Sequence, residues 1–172
     1  MTPEFSRTVD LRHITPAPLT ISATGAELAA LAERFGLVRI DSLQAELSLR
    51  TDGDVVTATG RLRACWTQLC AVSGEDLPQQ ADEPVRLRFV PQGSIPDTGD
   101  EEIELSPDDW DEIEYAGFSF DLGEAVAQSL ALSIDPFACG PEAEAARQAA
   151  GIVSEAAAGP FAALAGLKVT KD

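Results

Sequence analysis

The chain of 172 residues is long enough for one domain with a single core, and its 45% apolar composition is typical of a globular protein, not a disordered one. Its net charge of −17 is concentrated in one region, because no lysine or arginine lies between Arg88 and Arg147 while this interval holds 15 acidic residues. Binding to nucleic acid needs clustered basic side chains that neutralise phosphates, so this region argues against direct nucleic-acid contact and favours basic partners, metal ions or solubility.

The cellular location of the protein is inferred from targeting signals that the sequence lacks. The first residues lack the apolar core of a signal peptide, and the longest uncharged runs, at 125–134 and 156–167, are too short to cross a bilayer. Three cysteines are an odd number, so we expect free thiols in a reducing compartment. We therefore expect a cytoplasmic protein.

The first predicted elements are extended segments followed by a helix. Residues 1–23 are rich in proline and partly alternating, which favours extended chain leading into an edge strand. Thr24 and Glu27 have the spacing of a capping box, and Gly36 supplies a stop. Since apolar residues recur at helical spacing between these signals, the sequence predicts a helix over Gly25–Phe35.

The hydrophobic period changes to two after this helix. Apolar residues alternate with polar ones over 43–49 and again over 56–64, and the turn signal Asp52-Gly53 lies between the two runs. This pattern predicts a long antiparallel hairpin with one buried face. A further strand is predicted at Pro84–Val90, and a weak one over 113–120.

Helical signals return in the C-terminal part. Asp121 and Glu124 form a second predicted capping box, which opens a helix that ends at Asp135-Pro136, and another helix is predicted from Pro141 to Ala150. The order of elements predicts an α+β fold in which an N-terminal helix and C-terminal helices pack on an antiparallel β-meander or partly closed barrel. We expect one domain over 1–138, with an acidic connector at 91–117, and then an Ala-rich helix and short tail over 139–172.

The acidic segment from Gly99 to Gly117 holds nine carboxylates and no basic residue, yet it also contains Trp110, Ile113 and Tyr115. Metal-dependent phosphoryl chemistry uses two or three placed acids, usually beside a basic group, so it fits this segment poorly. A solvated connector and a surface for a basic partner both remain open, because apolar residues in an acidic run either pack on the core or anchor a partner. The candidates for partner contact are Glu101, Glu102, Asp108, Asp109, Trp110, Asp111, Glu112 and Tyr115.

Metal and nucleophile chemistry have little support in the sequence. Cys65, Cys70 and Cys139 are weak metal-ligand candidates, because a structural zinc site needs four convergent ligands. His13 is the only histidine, and nothing in the sequence places it beside a cysteine. Phosphate-binding and zinc-protease motifs are absent. We expect no catalytic residue, no metal and no cofactor.

Three segments carry a resemblance to a known family: "QLCAVSGEDLP" at 68–78, "FDLGEAVAQSLALSIDPF" at 120–137 and "GPFAALAGLK" at 159–168. The chain resembles the YceD family of bacterial large ribosomal RNA subunit accumulation proteins, in its alphaproteobacterial form. Some members carry Cys-x-x-Cys at the first segment, but here Thr67 stands at the first of those positions, which argues against a family zinc site. The matching motif residues are Gln68, Cys70, Asp121, Leu122, Glu124, Leu130, Pro136, Pro160 and Phe161.

The resemblance implies a role in the accumulation of large-subunit ribosomal RNA and hence in ribosome biogenesis, and we expect a factor that is not an enzyme. Together with the acidic region, it leads to the hypothesis that the protein binds a basic ribosomal protein or a pre-ribosomal particle. One alternative is direct RNA contact through outward arginines of the predicted strands, Arg61, Arg63, Arg86 and Arg88. Another is a metal-dependent RNA-processing enzyme, which no residue spacing recommends.

Overall fold

The computed structural model describes residues 3–94 and 110–152. This part of the chain contains seven strands, one short 3₁₀ turn at Leu11–His13 and three α-helices. The strands are β1 (Thr8–Asp10), β2 (Leu19–Ser22), β3 (Arg39–Asp52), β4 (Val55–Leu69), β5 (Asp76–Pro91), β6 (Asp111–Tyr115) and β7 (Ser119–Asp121), and the helices are α1 (Gly25–Phe35), α2 (Leu122–Ser133) and α3 (Ala143–Ala149).

The chain divides into two compact units. The larger unit comprises Met1–Gln68 and Pro78–Asp135, and it contains helices α1 and α2 and most of the strand residues. The smaller unit comprises Leu69–Leu77 and Pro136–Asp172, of which 69–77 and 136–152 are described.

The described strands form one open five-stranded sheet and one two-stranded sheet. The order in the larger sheet is β2-β3-β4-β5-β6, so the strands from β2 to β5 are neighbours in chain order, as in a meander. The other sheet pairs β1 with β7 in antiparallel orientation. The predicted α+β class is thus confirmed, and the sheet is open rather than closed into a barrel.

The predicted hairpin is confirmed as β3 and β4. Its register pairs Leu47 with Gly60, and the turn contains Gly53 with φ of +60°. The alternating apolar residues are buried: Leu43, Ala45, Leu47, Leu49, Val56, Ala58, Leu62 and Ala64. One face of the hairpin is therefore part of the core.

Helices α1 and α2 contribute their apolar faces to the same core. Helix α1 has the predicted bounds and the predicted capping box, and Gly36 ends it with φ of +66°. In α2, Leu122, Val126 and Leu130 are all 0% exposed. Two predicted helices and the hairpin thus assemble around one cluster of buried apolar side chains.

The structure corrects several details of the prediction. Strand β5 begins at Asp76, earlier than the predicted start at Pro84. The weak strand over 113–120 is two strands, and β6 pairs in parallel with β5. Helix α3 begins at Ala143, two residues after the predicted start, and has no side-chain cap. At α2 the Asp121 carboxylate accepts from the backbone of Gly123 and Glu124, while the Glu124 carboxylate bonds to Arg34.

Candidate partner-binding surface

Strand β6 is the part of the acidic segment that the structure places in the fold. It is the last strand of the five-stranded sheet, and Asp111, Glu112 and Glu114 are exposed on it. Arg88 Nη1 donates to Glu112 Oε1 at 2.8 Å, and the backbone N–H of Gly93 donates to Glu114 Oε1 at 2.9 Å. The candidates Glu101, Glu102, Asp108 and Asp109 lie outside the described residues.

The two aromatic residues of the segment differ in exposure. Trp110 lies just before β6 and is 38% exposed, so its ring is accessible to a partner. Tyr115 is 7% exposed, its hydroxyl donates to Asp54 O at 2.5 Å, and burial raises its pKa. Tyr115 therefore belongs to the core, and its assignment as an accessible anchor is corrected.

Two cavities border β6 on the side where α2 packs. One has a volume of about 260 Å³, and its lining includes the apolar residues Phe89, Ile113 and Phe120 together with Glu124 and Gln128. The other has a volume of about 140 Å³ and is lined by Leu62, Glu83, Pro84, Val85, Asp111, Ser129, Leu132 and Ser133. Neither lining includes a lysine or arginine, so both cavities combine apolar walls with negative charge.

The outward arginines of the strands are exposed, as the alternation predicts. Their side chains, however, meet carboxylates: Arg61 Nε lies 2.8 Å and Arg63 Nε 3.6 Å from Asp82, and Arg88 pairs with Glu112. The bond from Arg61 is the main reason why the pKa of Asp82 lies below its usual range. Arg86 also has an interaction partner. Acids of the same sheet thus offset part of the positive charge available to RNA.

Gln68 of the first family motif has a structural position in the larger unit. It is 6% exposed, accepts a hydrogen bond from Trp66 Nε1 at 2.9 Å and donates to Asp135 O at 2.7 Å. The amide thereby connects the end of β4 to the residue that precedes Pro136 of the second motif. The first and second family segments thus meet at the hydrogen bond from Gln68 to Asp135.

Residues at the start of α2 fix the N-terminal segment. Asp121 Oδ1 accepts from Arg7 N at 2.8 Å, and Arg34 bridges Glu124 at 2.8 Å and Glu4 at 2.9 Å. The family-motif residues Leu122 and Leu130 are fully buried, whereas Pro136 is exposed, and Pro160 and Phe161 lie outside the described residues. The described part of the second motif therefore serves mainly to hold the fold together.

Gly123 is an important residue that sequence reasoning missed. A Cβ atom at this position would lie 2.6 Å from Phe5 O and 2.8 Å from Arg7 N, so only glycine permits the close approach. The available signal was a glycine inside the first turn of a predicted helix, where it is a poor helix former.

Comparison with known proteins decides the family. A model of the family described as large ribosomal RNA subunit accumulation protein YceD matches residues 58–168, which is more than half of the chain. The chain belongs to the YceD family. Its description gives the protein a role in the accumulation of large-subunit ribosomal RNA and thus in ribosome biogenesis. No curated protein and no solved structure matches the chain.

The YceD match begins in β4 and includes β5, β6, β7, α2 and α3. It therefore spans all three family segments and the acidic segment, and it confirms the resemblance to the YceD family. Strands β1 to β3 and helix α1 lie before the matched region. None of the described helices is long and apolar enough to cross a membrane.

The cysteines of this YceD-family chain are free thiols in different surroundings. Cys70, in the smaller unit, is buried, and its Sγ accepts from the backbone N–H of Gly140 at 3.3 Å and of Ser73 at 3.4 Å. These bonds, chiefly that from Gly140, lower the pKa of Cys70 to about 6. Cys65 and Cys139 are exposed.

Among residues 3–94 and 110–152, no group of three or more His, Cys, Asp or Glu side chains is placed to hold a metal ion. Thr67, which stands at the first cysteine position of some family members, is 1% exposed within β4. His13 is exposed, and its Nδ1 lies 3.9 Å from Asp10. These positions bring no candidate ligand set or nucleophile and base together in the described part of the chain.

Proposed function

We propose that this YceD-family protein is a non-enzymatic ribosome-biogenesis factor that binds a basic ribosomal protein, either free or in a pre-ribosomal particle. The observation that carries the proposal is the charge pattern, since 15 acidic residues and no basic ones lie between Arg88 and Arg147. The described end of the acidic segment supports it, because β6 exposes Asp111, Glu112 and Glu114 and follows the accessible ring of Trp110.

Charge complementarity favours a basic ribosomal protein as the partner. A protein that binds ribosomal RNA needs clustered lysine and arginine, which stay exposed until the RNA is reached. An acidic surface attracts these charges, speeds the encounter and discriminates against partners of like charge. Such a factor would support RNA accumulation indirectly, through delivery or protection of the RNA-binding protein.

Direct RNA binding through the strand arginines is the second candidate. Its support is the exposure of Arg61, Arg63, Arg86 and Arg88 on the sheet. The ion pairs to Asp82 and Glu112 count against it, because RNA would have to displace or tolerate these carboxylates. A gel shift with ribosomal RNA, comparing the wild type with a variant that has all four arginines changed to alanine, separates the two candidates.

Affinity purification followed by mass spectrometry, with and without ribonuclease, tests the proposal. We expect a basic ribosomal protein to stay bound after ribonuclease treatment and to be released as the salt concentration rises, since salt screens exposed charges. Recovery of ribosomal RNA fragments alone, with every association lost on nuclease treatment, would show that the protein binds RNA and that the proposal is wrong.

A further inference from the structure

The backbone of β6 presents an unpaired edge. In a strand, the N–H and C=O groups of one residue point to the same side, and those of the next residue point to the other side. The carbonyl of Tyr115 accepts from Gln92 N at 2.9 Å, on the β5 side, so the groups of Ile113 also face β5. The N–H and C=O groups of Glu112 and Glu114 therefore face away from the sheet, and no strand of residues 3–94 or 110–152 pairs with them.

Apolar side chains lie close to this edge. Trp110 lies just before β6. Phe118 lies after β6 and is 72% exposed. On the α2 side, Leu132 is 79% exposed and lines the cavity of about 140 Å³ next to Asp111. An added strand would thus find two open backbone positions and accessible apolar surface beside them.

Charge decides which occupant fits. A second copy of β6 would bring like-charged glutamates opposite one another, which is destabilising in paired strands. The phosphates of a nucleic acid would meet the same repulsion. A basic segment instead brings opposite charge to the exposed Glu112 and Glu114, and the exposed Asp111 at the start of the strand adds to the negative charge nearby.

We propose that β6 binds an extended basic segment of the partner by strand addition, as a sixth strand of the sheet. Since side chains alternate between the two faces of a strand, the segment that fits alternates basic residues, which face Glu112 and Glu114, with apolar residues, which face Ile113 and Leu132. This inference rests on the proposed function and gives the binding mode and sequence pattern of the partner.

A defined peptide tests this binding mode. The probe is a labelled nine-residue peptide of alternating lysine and valine, and its matched control is the same peptide with a methyl group on every backbone nitrogen. N-methylation removes the amide donors of all residues, whichever set of them faces β6, and leaves the charge unchanged. By fluorescence anisotropy with the full chain, we expect the valine peptide to bind at least about tenfold more tightly, because each lost hydrogen bond costs about fivefold and more than one is lost.

Two variants locate the contact. Glu114→Pro removes an outward N–H at an edge position that tolerates proline, and we expect it to weaken the valine peptide about tenfold. Asp111→Asn with Glu114→Gln keeps the backbone and removes two charges, so we expect a loss of about threefold to tenfold. The control Glu33→Gln with Glu46→Gln has the same change in net charge away from β6, and we expect a loss below about twofold.

Hydrogen exchange supplies the direct readout. The valine peptide should slow exchange of the Glu112 and Glu114 amides at least about tenfold, and the N-methylated peptide should leave it unchanged. Peptide binding without protection of these amides, or equal losses in the two charge variants, would overturn strand addition at β6. If strand addition is overturned in this way while a basic ribosomal protein is still retained after ribonuclease treatment, only the binding mode is refuted. If no basic ribosomal protein is retained, the proposed function itself fails.

Discussion

Replacing Gly123 with alanine should destabilise the protein, although alanine is the better helix former. Gly123 lies in the first turn of α2, where backbone atoms of Phe5 and Arg7 approach it. A methyl group would have to displace these atoms, because 2.6 Å and 2.8 Å are far below ordinary contact distances. Since neither obstacle is a flexible side chain, the N-terminal segment must move.

The size of the effect follows from three contributions. Overpacking of this kind costs about 1 to 3 kcal/mol. The displaced segment also carries two hydrogen bonds of Arg7, one to Asp121 at 2.8 Å and one from Leu122 N at 3.0 Å, each worth about 1 kcal/mol. The higher helix propensity of alanine offsets about 1 kcal/mol of this destabilisation. We therefore expect a net loss of about 2 to 4 kcal/mol in the free energy of unfolding.

Urea denaturation and thermal melting measure this loss. For a chain of this size the melting temperature should fall by about 4 to 16 °C. Gly25→Ala is the matched control, because Gly25 is also in the first turn of a helix and a Cβ atom there meets nothing within 4 Å. That variant should be neutral or up to about 1 kcal/mol more stable. If Gly123→Ala behaved like Gly25→Ala, the packing of the N-terminal segment against α2 would be refuted.

Three further changes test the site description. Gln68→Leu should lower the free energy of unfolding by about 2 kcal/mol in urea denaturation, since Trp66 Nε1 loses its acceptor, and an unchanged midpoint would contradict that role. Tyr115→Phe should cost about 1 kcal/mol and leave capture of the basic partner unchanged, whereas lost capture would return Tyr115 to the binding surface. The pKa of Cys70 is lowered to about 6 in the folded protein, so ionisation of its thiol stabilises the fold. This stabilisation is complete above the pKa of the thiol in the unfolded chain, about 8.5, and is lost as the pH falls through 6. The urea midpoint of Cys70→Ala should therefore fall further below that of the wild type at high pH than at low pH. An equal difference at both pH values would contradict the hydrogen bonds to the Cys70 sulfur.

The elements predicted correctly from sequence are those with local signals. The capping box and Gly36 define α1, and the alternation around Asp52-Gly53 defines the β3–β4 hairpin. In both cases the residues that specify the element lie within it or at its ends. A single sequence was sufficient for these elements because the spacing of the apolar residues and the signals at the ends of the element indicate the same structure.

The corrected features depend on residues distant in sequence. The parallel pairing of β6 with β5 joins Ile113 to Phe89, and no local pattern in an acidic strand indicates a parallel neighbour. Tyr115 is buried because its hydroxyl reaches Asp54, 61 residues earlier. Glu124 has the spacing of a capping box, but the guanidinium of Arg34 engages its carboxylate instead. In each case a tertiary contact outweighs the local preference.

The sequence predicted part of the candidate surface. The charge count located the acidic region, and the structure then separated an exposed edge, with Asp111, Glu112 and Glu114, from a buried ring at Tyr115. Composition shows how many carboxylates are present but not which backbone groups are left unpaired. The open edge of β6 could only be recognised once its neighbour in the sheet was known.

The proposed function requires that the protein bind a basic ribosomal protein through its acidic surface without needing RNA. The most direct measurement is calorimetric titration of the purified protein with the ribosomal protein recovered by affinity purification, at low and at high salt and free of nucleic acid. We expect binding at low salt that weakens strongly as salt is added, and weaker binding by the Asp111→Asn, Glu114→Gln variant. Binding that occurs only after ribosomal RNA is added would contradict it.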